Sequence, residues 1–200
     1  MDIQAAIQSL VRPGCVAYDV GANIGYISLL LARRVGAGGQ VFAFEALPAN
    51  VDRLKQNLET SGLAARVQVV HAAVIDETRD VQFYVGPSGG MGKAEGSAGR
   101  QEYAYQQVVL APGLSLDHFV YLQGNPAPQV VKMDIEGGEV LALPGMRRVL
   151  AEARPLMLLE MHGPEAARVA WETLRGANYR ICRMANGYPQ VSELSELDWK

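Results

Sequence analysis

Cysteine is scarce in this sequence, and neither sign of charge is in strong excess. Cys15 and Cys182 are the only two cysteines among 200 residues, and their spacing is not that of metal ligands, so we expect reduced thiols in a cytoplasmic protein. The formal net charge is −3. This charge balance makes binding to nucleic acids or anionic membranes through a broad basic surface an unfavoured function for the protein.

Long apolar runs and internal repeats are absent from the sequence as well. No apolar stretch reaches the length that spans a bilayer, and residues 1–11 lack the basic start and long apolar centre of a signal peptide. We therefore expect no membrane partner. With 49% hydrophobic and 20% charged residues, the composition is that of an ordinary globular protein, and the length suits a single domain over residues 1–200.

The most informative stretch is a glycine-containing turn between a strand pattern and a helix pattern. Residues 16–20 predict a buried strand, Gly21 and Gly25 fall in the turn, and apolar residues then recur at helical spacing. Asn23 tolerates left-handed backbone geometry, and the glycines allow close approach of a ligand. The unpaired N–H groups at the helix start would face that ligand. The stretch predicts a nucleotide-type binding turn.

Strand and helix patterns alternate along most of the chain. Further strands, most of them separated by helical patterns, are predicted at residues 40–44, 67–70, 130–134, 155–159 and 179–184, and residues 188–191 are the candidate for a last strand. This alternation indicates an α/β, Rossmann-like fold with helices on both faces of a mostly parallel sheet, for which we predict seven strands and an antiparallel last strand.

Two segments depart from the alternation. Residues 1–14 predict an N-terminal helical cap, and residues 81–110 predict a small β insertion that contains a Gly- and Ser-rich loop at 86–99. Long loops of this kind are either functional lids or disordered connectors. We favour a substrate lid, and the exposed edge of the insertion could support a homodimer.

Polar side chains follow several of the predicted strands. Asp19, Glu45, Asp134, Glu160 and His162 all fall at strand ends. Ligands of open α/β sheets bind at the carboxyl ends of the strands, where the strand order reverses, so these side chains should converge on one crevice.

Glu45 and Asp76 are candidate ligands of a nucleoside. Glu45 stands 20 residues beyond Gly25, at the position from which an acidic residue accepts both hydroxyls of a ribose. Asp76 follows the third strand and could accept from an adenine amino group, although a solvated turn aspartate is an equal alternative.

The spacing of the glycine turn separates two cofactors. A dinucleotide-binding turn needs a glycine at the sixth position from Gly21, and that position is Tyr26, which disfavours an NAD-binding oxidoreductase. The pattern of Asp19, Gly21, Asn23 and Gly25 resembles motif I of class I S-adenosyl-L-methionine (SAM) methyltransferases.

Later motifs make the resemblance specific. In order and spacing, the sequence is similar to the FkbM-family SAM-dependent methyltransferases over residues 16–185, through Asp19 to Gly25, Phe44-Glu45-Ala46, Ser115-Leu116-Asp117, Lys132 to Glu139 and Glu160-Met161-His162. The resemblance implies a class I methyltransferase fold, SAM as cofactor and S-adenosyl-L-homocysteine (SAH) as product. It also implies O-methylation of a hydroxyl on a small molecule, sugar or natural product, without fixing the acceptor.

The resemblance also implies which residues contact SAM. They come from the glycine turn, the end of the second strand and two later aspartates, namely Asp19, Gly21, Ala22, Asn23, Gly25, Glu45, Ala46, Asp76 and Asp134. Asp134 should lie beside the methionine portion, where it could hold the ammonium group, orient the acceptor or ligate a metal.

Methyl transfer from a sulfonium is an in-line displacement, and a hydroxyl nucleophile must also lose its proton. His162 is the candidate base because its unperturbed pKa lies near operating pH. Glu160 could orient that ring or act itself. Strand alternation places Glu136 on the same face as Lys132 and Asp134, so Glu136 joins the catalytic candidates, and an Asp134–Lys132 pair is a structural alternative for part of the cluster.

Other functions fit parts of the pattern. Asp134, Glu160 and His162 could hold a divalent ion such as Mg²⁺ or Mn²⁺, which would lower the pKa of an acceptor hydroxyl, but nothing in the spacing demands a metal. A SAM-binding module without catalysis would keep the same binding turn. Methylation of nucleic acid is disfavoured by the charge balance.

Overall fold

The computed structural model describes residues 3–86, 92–99, 105 and 107–199. The helices are α1 (Ile3–Leu10), α2 (Tyr26–Val35), α3 (Pro48–Thr60), α4 (Glu139–Ala142) and α5 (Pro164–Gly176). The strands are β1 (Val16–Val20), β2 (Gln40–Glu45), β3 (Val67–His71), β4 (Ala73–Val74), β5 (Asp80–Val85), β6 (Gly92–Ala94), β7 (Gln107–Leu114), β8 (Val130–Met133) and β9 (Leu156–Leu159). Short 3-10 or π-type helical turns lie at Ala64–Arg66, His118–Leu122, Leu143–Met146, Val149–Ala153 and Leu194–Glu196.

Five parallel strands form the central sheet, in the order β3-β2-β1-β8-β9. The chain builds outward from β1 through β2 to β3 and then returns to the other side of β1 with β8. The strand order therefore reverses between β1 and β8, which is where an open α/β sheet binds its ligands.

The central strands are buried on both faces. Along β1 and β2, Tyr18, Phe42 and Phe44 pack into a core with Phe119, whereas Ala17 and Val41 belong to a second core with α1, α2 and α3. Alternate residues of a strand point to opposite faces, so an apolar run without polar alternation is what a sheet covered by helices on both sides requires. This arrangement confirms the predicted α/β class with a parallel sheet.

The inserted strands form a second sheet in the order β4-β7-β5-β6. β5 pairs antiparallel with both β6 and β7, and β7 pairs parallel with β4. β6 lies at the outer edge, and the expected pairing of two molecules along an edge of the insertion stays a prediction. Of the segment predicted as a lid, residues 87–91 lie outside the described residues, and Gly92–Ala94 form β6.

The predicted count of seven strands is not confirmed. Within the described part of the chain the parallel sheet has five strands, and residues 179–184 and 188–191 contribute an isolated antiparallel bridge, Cys182 to Gln190, in place of a last strand. Arg180 and Arg183 are exposed there, so this stretch is not an apolar run that buries both of its faces.

Among the described residues, no helix combines the length and the apolar character that crossing a membrane requires.

Candidate active site

The glycine turn is fastened to the end of the neighbouring strand. The N–H groups of Gly21 and Ala22 both donate to the Phe44 carbonyl, at 3.1 and 2.9 Å. Gly21 has a φ of +76°, and a Cβ there would lie 2.1 Å from the carbonyl oxygen of Asp134. Asn23 adopts a φ of +50°, in the left-handed region that asparagine was predicted to tolerate here. The ends of β1, β2 and β8 thus meet at a turn with no room for a larger residue at position 21.

Glu45 connects this turn to the start of α3. Its Oε2 accepts the N–H of Asn23 at 2.8 Å, and its Oε1 accepts the N–H of Leu47 at 2.9 Å and the Asn50 amide at 3.3 Å. The residue is 7% exposed and faces the cavity above the turn. A carboxylate has about four acceptor positions, so Glu45 retains capacity for a hydroxyl of a bound molecule.

Asp19 lies beneath the turn, fully buried. Its Oδ1 is 3.0 Å from Lys132 Nζ in an ion pair, and its Oδ2 accepts the Ser28 hydroxyl at 2.6 Å. The Lys132 ammonium directs its hydrogen bonds to the carbonyls of Gly21 and Val20, at 2.8 and 3.3 Å. Lys132 therefore pairs with Asp19, in place of the Asp134–Lys132 pair that was the structural alternative. It also stabilises the turn from below.

A cavity of about 290 Å³ opens above the turn, and we call it the main cavity because most of the predicted cofactor residues line it. Among the predicted site residues, those that line it are Gly21, Ala22, Asn23, Glu45, Ala46, Asp134 and Glu136. Phe83, Gly92 and Ala94 of the second sheet cover one side. The carboxyl ends of β1, β2 and β8 thus bring most of the predicted cofactor residues to one crevice.

Three predicted cofactor residues lie outside the lining of this cavity. Asp19 is beneath the turn, as described. A Cβ on Gly25 would lie 2.3 Å from Leu54 Cδ1, so this glycine allows α2 to begin close against α3. Asp76 is exposed and forms an ion pair with Arg79 at 3.3 Å, which matches the solvated turn aspartate offered as its alternative.

His162 and three carboxylates form a cluster beside the main cavity. His162 Nε2 is 2.8 Å from Asp134 Oδ1 and 3.9 Å from Glu160 Oε1, and its Nδ1 is 3.4 Å from Glu136 Oε2. The histidine is 4% exposed, and its Nδ1 has no hydrogen-bond partner among residues that the structure describes. Asp134 and Glu136 are part of the cavity wall, so the imidazole lies behind them.

The surroundings of His162 act on its pKa in opposite directions. Burial lowers the pKa, while the hydrogen bond to Asp134 and the charges of Glu136, Asp134 and Glu139 raise it. The carboxylates prevail, and the pKa lies above the ordinary 6.5. The surrounding carboxylates thus stabilise the imidazolium, with Asp134 as its closest counter-ion.

Glu139, which was not among the predicted site residues, belongs to the same charged group. It is fully buried in the first turn of α4, where Oε1 accepts the N–H of Ile135 at 3.2 Å and Oε2 has no partner within the described ranges. Burial raises its pKa to about 7, partly offset by that hydrogen bond and by the charge of His162. The local sequence carries no signal for its burial, which depends on how α4 packs.

Three donors of the cluster could hold a metal ion. One ligand atom each from Asp134, Glu160 and His162 lies within 4.8 Å of the other two. Two carboxylates and an imidazole suit Mg²⁺, Mn²⁺ or another divalent ion.

Two curated relatives share parts of this sequence. The hexuronic acid methyltransferase AglP of Haloferax volcanii is 28% identical over 147 residues, which are 74% of this chain and 56% of that protein. The protein-L-isoaspartate O-methyltransferase of Aeropyrum pernix is 44% identical over 59 residues, which are 30% of this chain and 23% of that protein. The chain thus spans less than two thirds of the length of either relative.

Solved structures show the same fold. The methyltransferase FkbM of Methylobacillus flagellatus aligns with a TM-score of 0.51 at 23% identity, over 73% of this chain and 32% of that chain. The precorrin-6y C5,15-methyltransferase of Geobacter metallireducens aligns with a TM-score of 0.55 at 18% identity, over 88% and 71%. At these identities the likeness concerns the architecture, a class I methyltransferase-like α/β fold.

Residues 19–181 match the family defined by the methyltransferase FkbM domain. This range begins at the aspartate beneath the glycine turn, contains the His162 cluster and covers most of the chain. The protein belongs to the FkbM methyltransferase family.

Proposed function

We propose that this protein is a SAM-dependent methyltransferase that transfers the methyl group to a hydroxyl of a sugar or sugar-containing small molecule. The observation that carries the proposal is the lining of the main cavity. Glu45 and Asp134 both line it, at the ends of the two strands on either side of β1 and its glycine turn. Family membership supports the same activity.

In this proposal the two carboxylates contact different parts of SAM. Glu45 accepts the ribose hydroxyls, because it faces the cavity and is held by the N–H groups of Asn23 and Leu47. Asp134 lies beside the methionine portion, next to the close contact between its backbone and Gly21. Ala22 and Ala46 line the space between the ends of β1 and β2, where small side chains leave room for a nucleoside.

The acceptor is proposed to be a hydroxyl of a small molecule or glycan, with hexuronic acids as the first class to test. The hexuronic acid methyltransferase AglP aligns with 74% of this chain. The slightly negative net charge supports an acceptor other than nucleic acid.

The geometry of the cluster favours an indirect role for His162. The ring is almost fully buried, while Asp134 lines the cavity and shares a hydrogen bond of 2.8 Å with its Nε2. We infer that Asp134 receives the hydrogen bond of the acceptor hydroxyl, and that His162 orients Asp134 and shares the released proton. The new O–C bond forms as the S–C bond breaks, the electron pair stays on sulfur to give SAH, and the proton remains on the Asp134–His162 pair.

Calorimetric titration with SAH tests the cofactor assignment. We expect binding by wild-type protein, no binding of NAD, and weaker binding by Glu45→Ala. Glu45→Gln is the matched control, because it keeps one acceptor oxygen for the turn, so it should lose less affinity than the alanine variant. Folded wild-type protein that fails to bind SAH would falsify the proposal.

A divalent metal is a second candidate component, favoured by one observation. Asp134, Glu160 and His162 bring an oxygen, an oxygen and a nitrogen within 4.8 Å of one another. These residues would hold the ion, which when bound supplies Lewis-acid activation of a hydroxyl. Titration with Mn²⁺ alone, followed by electron paramagnetic resonance, tests it: saturable binding that Glu160→Gln removes supports the site, and a free-ion signal throughout overturns it.

A further inference from the structure

The second sheet separates two cavities. Phe83 and Gly92 line the main cavity, whereas Tyr84 and Lys93, which pair across β5 and β6, line a cleft of about 630 Å³ on the other side. Successive residues of a strand point to opposite faces. Phe83 and Gly92 therefore face the main cavity, and Tyr84 and Lys93 face the second space. We call this second space the side cleft.

Aromatic rings and a cation lie together in the side cleft. The rings of Tyr84 and Tyr105 are 5.8 Å apart between centroids, at an angle of 57°. Lys93 Nζ lies 5.2 Å from the centre of the Tyr105 ring and donates to the Gly99 carbonyl at 3.2 Å. Tyrosine offers an apolar face beside a polar hydroxyl, which suits a ligand with an apolar face and a polar rim.

The floor of the cleft holds a buried hydroxyl that lacks a partner. Ser97 is 7% exposed, lines the cleft, and its Oγ has no hydrogen-bond partner in the part of the chain that the structure describes. A buried hydroxyl without a partner is costly, and a hydroxyl of a bound molecule would satisfy it.

The charges of the cleft indicate a neutral ligand that carries many hydroxyls. Glu95 and Glu165 line it together with Lys93, and Glu165 is paired with Arg168 at 2.6 Å. The charges of Glu95 and Lys93 then balance each other, which favours a neutral ligand over an ion. Sugar hydroxyls can donate to the carboxylate oxygens and accept from Lys93, while the C–H face of the sugar ring lies on tyrosine.

The side cleft borders the His162 cluster. The N–H of Ala98, in the floor of the cleft, donates to the Gly137 carbonyl at 3.0 Å. A Cβ on Gly163 would lie 3.9 Å from the Ala98 carbonyl oxygen. Gly137 and Gly163 directly follow Glu136 and His162, so a ligand in the cleft is next to the turns that carry the proposed catalytic groups.

We propose that the side cleft is a glycan-binding subsite, in which a neutral pyranose ring stacks on Tyr84 and Tyr105 and hydrogen-bonds to Ser97 and Glu95. The sugar bound there neighbours the one that is methylated, and it selects glycan acceptors over isolated small molecules. This inference rests on the proposed methyltransferase function.

Saturation-transfer difference NMR tests the subsite on the full chain with SAH present. The probes are the methyl α-pyranosides of glucose, galactose and mannose, with glucuronic acid and catechol for comparison. We expect at least one neutral glycoside to bind the wild type, and its affinity to fall about five- to tenfold in Tyr84→Ala and Tyr105→Ala, through loss of a stacking contact. Tyr84→Phe, which keeps the ring, should lose much less.

Tyr121→Ala is the matched control, because Tyr121 also has a cation, Arg148, over its ring but lines neither cavity. Glycoside binding that this variant retains and the cleft variants lose supports the subsite. Equal glycoside binding in all variants overturns it. Wild-type protein that binds SAH but no neutral glycoside also overturns it, whether or not that protein binds catechol or glucuronic acid. Failure to bind SAH is a separate outcome that overturns the proposed function.

Discussion

At the scale of single residues, His162 links pH to methyl transfer. Only its neutral form can share a proton, and its pKa lies above 6.5 because the hydrogen bond to Asp134 and the charges of Glu136, Asp134 and Glu139 outweigh burial. Activity should therefore be low in acid and rise as the pH passes that raised pKa. In His162→Gln we expect kcat to fall about a hundredfold or more and this inflection to disappear, with SAH affinity retained.

The measurement is kcat against pH for the wild type, His162→Gln and His118→Gln, which changes a histidine outside the cluster. A structural role for His162 would lower kcat equally at every pH and keep the inflection. That result would contradict proton sharing even if activity fell.

Glu139 makes the stability of the fold depend on pH. Its pKa is raised from 4.5 to about 7 in the folded state, mainly by burial, with His162 and Asp134 as the charged groups that face it. A raised pKa contributes stability that is complete below pH 4.5 and is lost as the pH rises through about 7. Glu139→Gln removes that loss, so its stability relative to the wild type should improve across this window by at most on the order of 3 kcal/mol.

Urea unfolding at several pH values between acid and mildly alkaline conditions checks this expectation. The informative quantity is the difference in unfolding free energy between Glu139→Gln and the wild type. A difference that stays constant with pH means that Glu139 has the same pKa in the folded and the unfolded state, and the pKa assignment is then wrong.

The site residues that could be predicted from the sequence are those that lie at the ends of strands. Glu45 and Asp134 line the main cavity because the ends of parallel strands share one edge of the sheet. Asp76 and Glu139 show the limit of this reasoning. The direction of Asp76 depends on its ion pair with Arg79, and the burial of Glu139 depends on how α4 packs, and neither follows from a position along the chain.

At the scale of elements, the glycine turn depends on the fit between two strand ends. An alanine at position 21 would combine a φ of +76° with a Cβ 2.1 Å from the Asp134 carbonyl oxygen. Gly21→Ala should thus displace Asp134 and abolish SAH binding as well as destabilise the fold. Gly14→Ala is the control, because its φ of +82° imposes the same backbone strain, while none of the described residues beyond its chain neighbours comes within 4 Å of a Cβ there.

We expect Gly14→Ala to cost about 1–2 kcal/mol of unfolding free energy, the usual penalty for a left-handed alanine, and to leave SAH affinity unchanged. Gly21→Ala should cost more. Denaturation and SAH titration of both variants decide the matter: equal costs, or SAH binding by Gly21→Ala, would show that the contact with Asp134 is not a constraint.

The elements also show which patterns carry through to structure. The mainly apolar runs of β1, β2 and β8 were predictable, because these inner strands are buried on both faces, with Asp19 and Lys132 held there as an ion pair. Residues 179–184 have the apolar residues Ile181 and Met184 but also exposed arginines, and they form one bridge in place of a strand. Pairing of this kind depends on the neighbouring chain, which local composition does not describe.

At the scale of the whole molecule, one ion pair joins the middle of the sheet to the binding site. Asp19 on β1 and Lys132 on β8 are register partners, both are buried, and Lys132 also holds the carbonyls of the glycine turn. Removing one member of a buried pair leaves the other charge without compensation. Lys132→Met should therefore cost about 3–5 kcal/mol of unfolding free energy.

A double-mutant cycle separates this pairing from simple loss of packing. Asp19→Asn keeps the shape of the side chain and a partner for Ser28, and in the double variant no buried charge remains at the pair. We expect the double variant to be more stable than Lys132→Met alone, and its SAH affinity to stay below that of the wild type because the turn has lost its ammonium donor. Arg148→Met, which breaks an exposed pair with Glu152, is the control and should change stability little. If the two single effects simply add, Asp19 and Lys132 do not interact energetically, and the ion pair does not stabilise the fold.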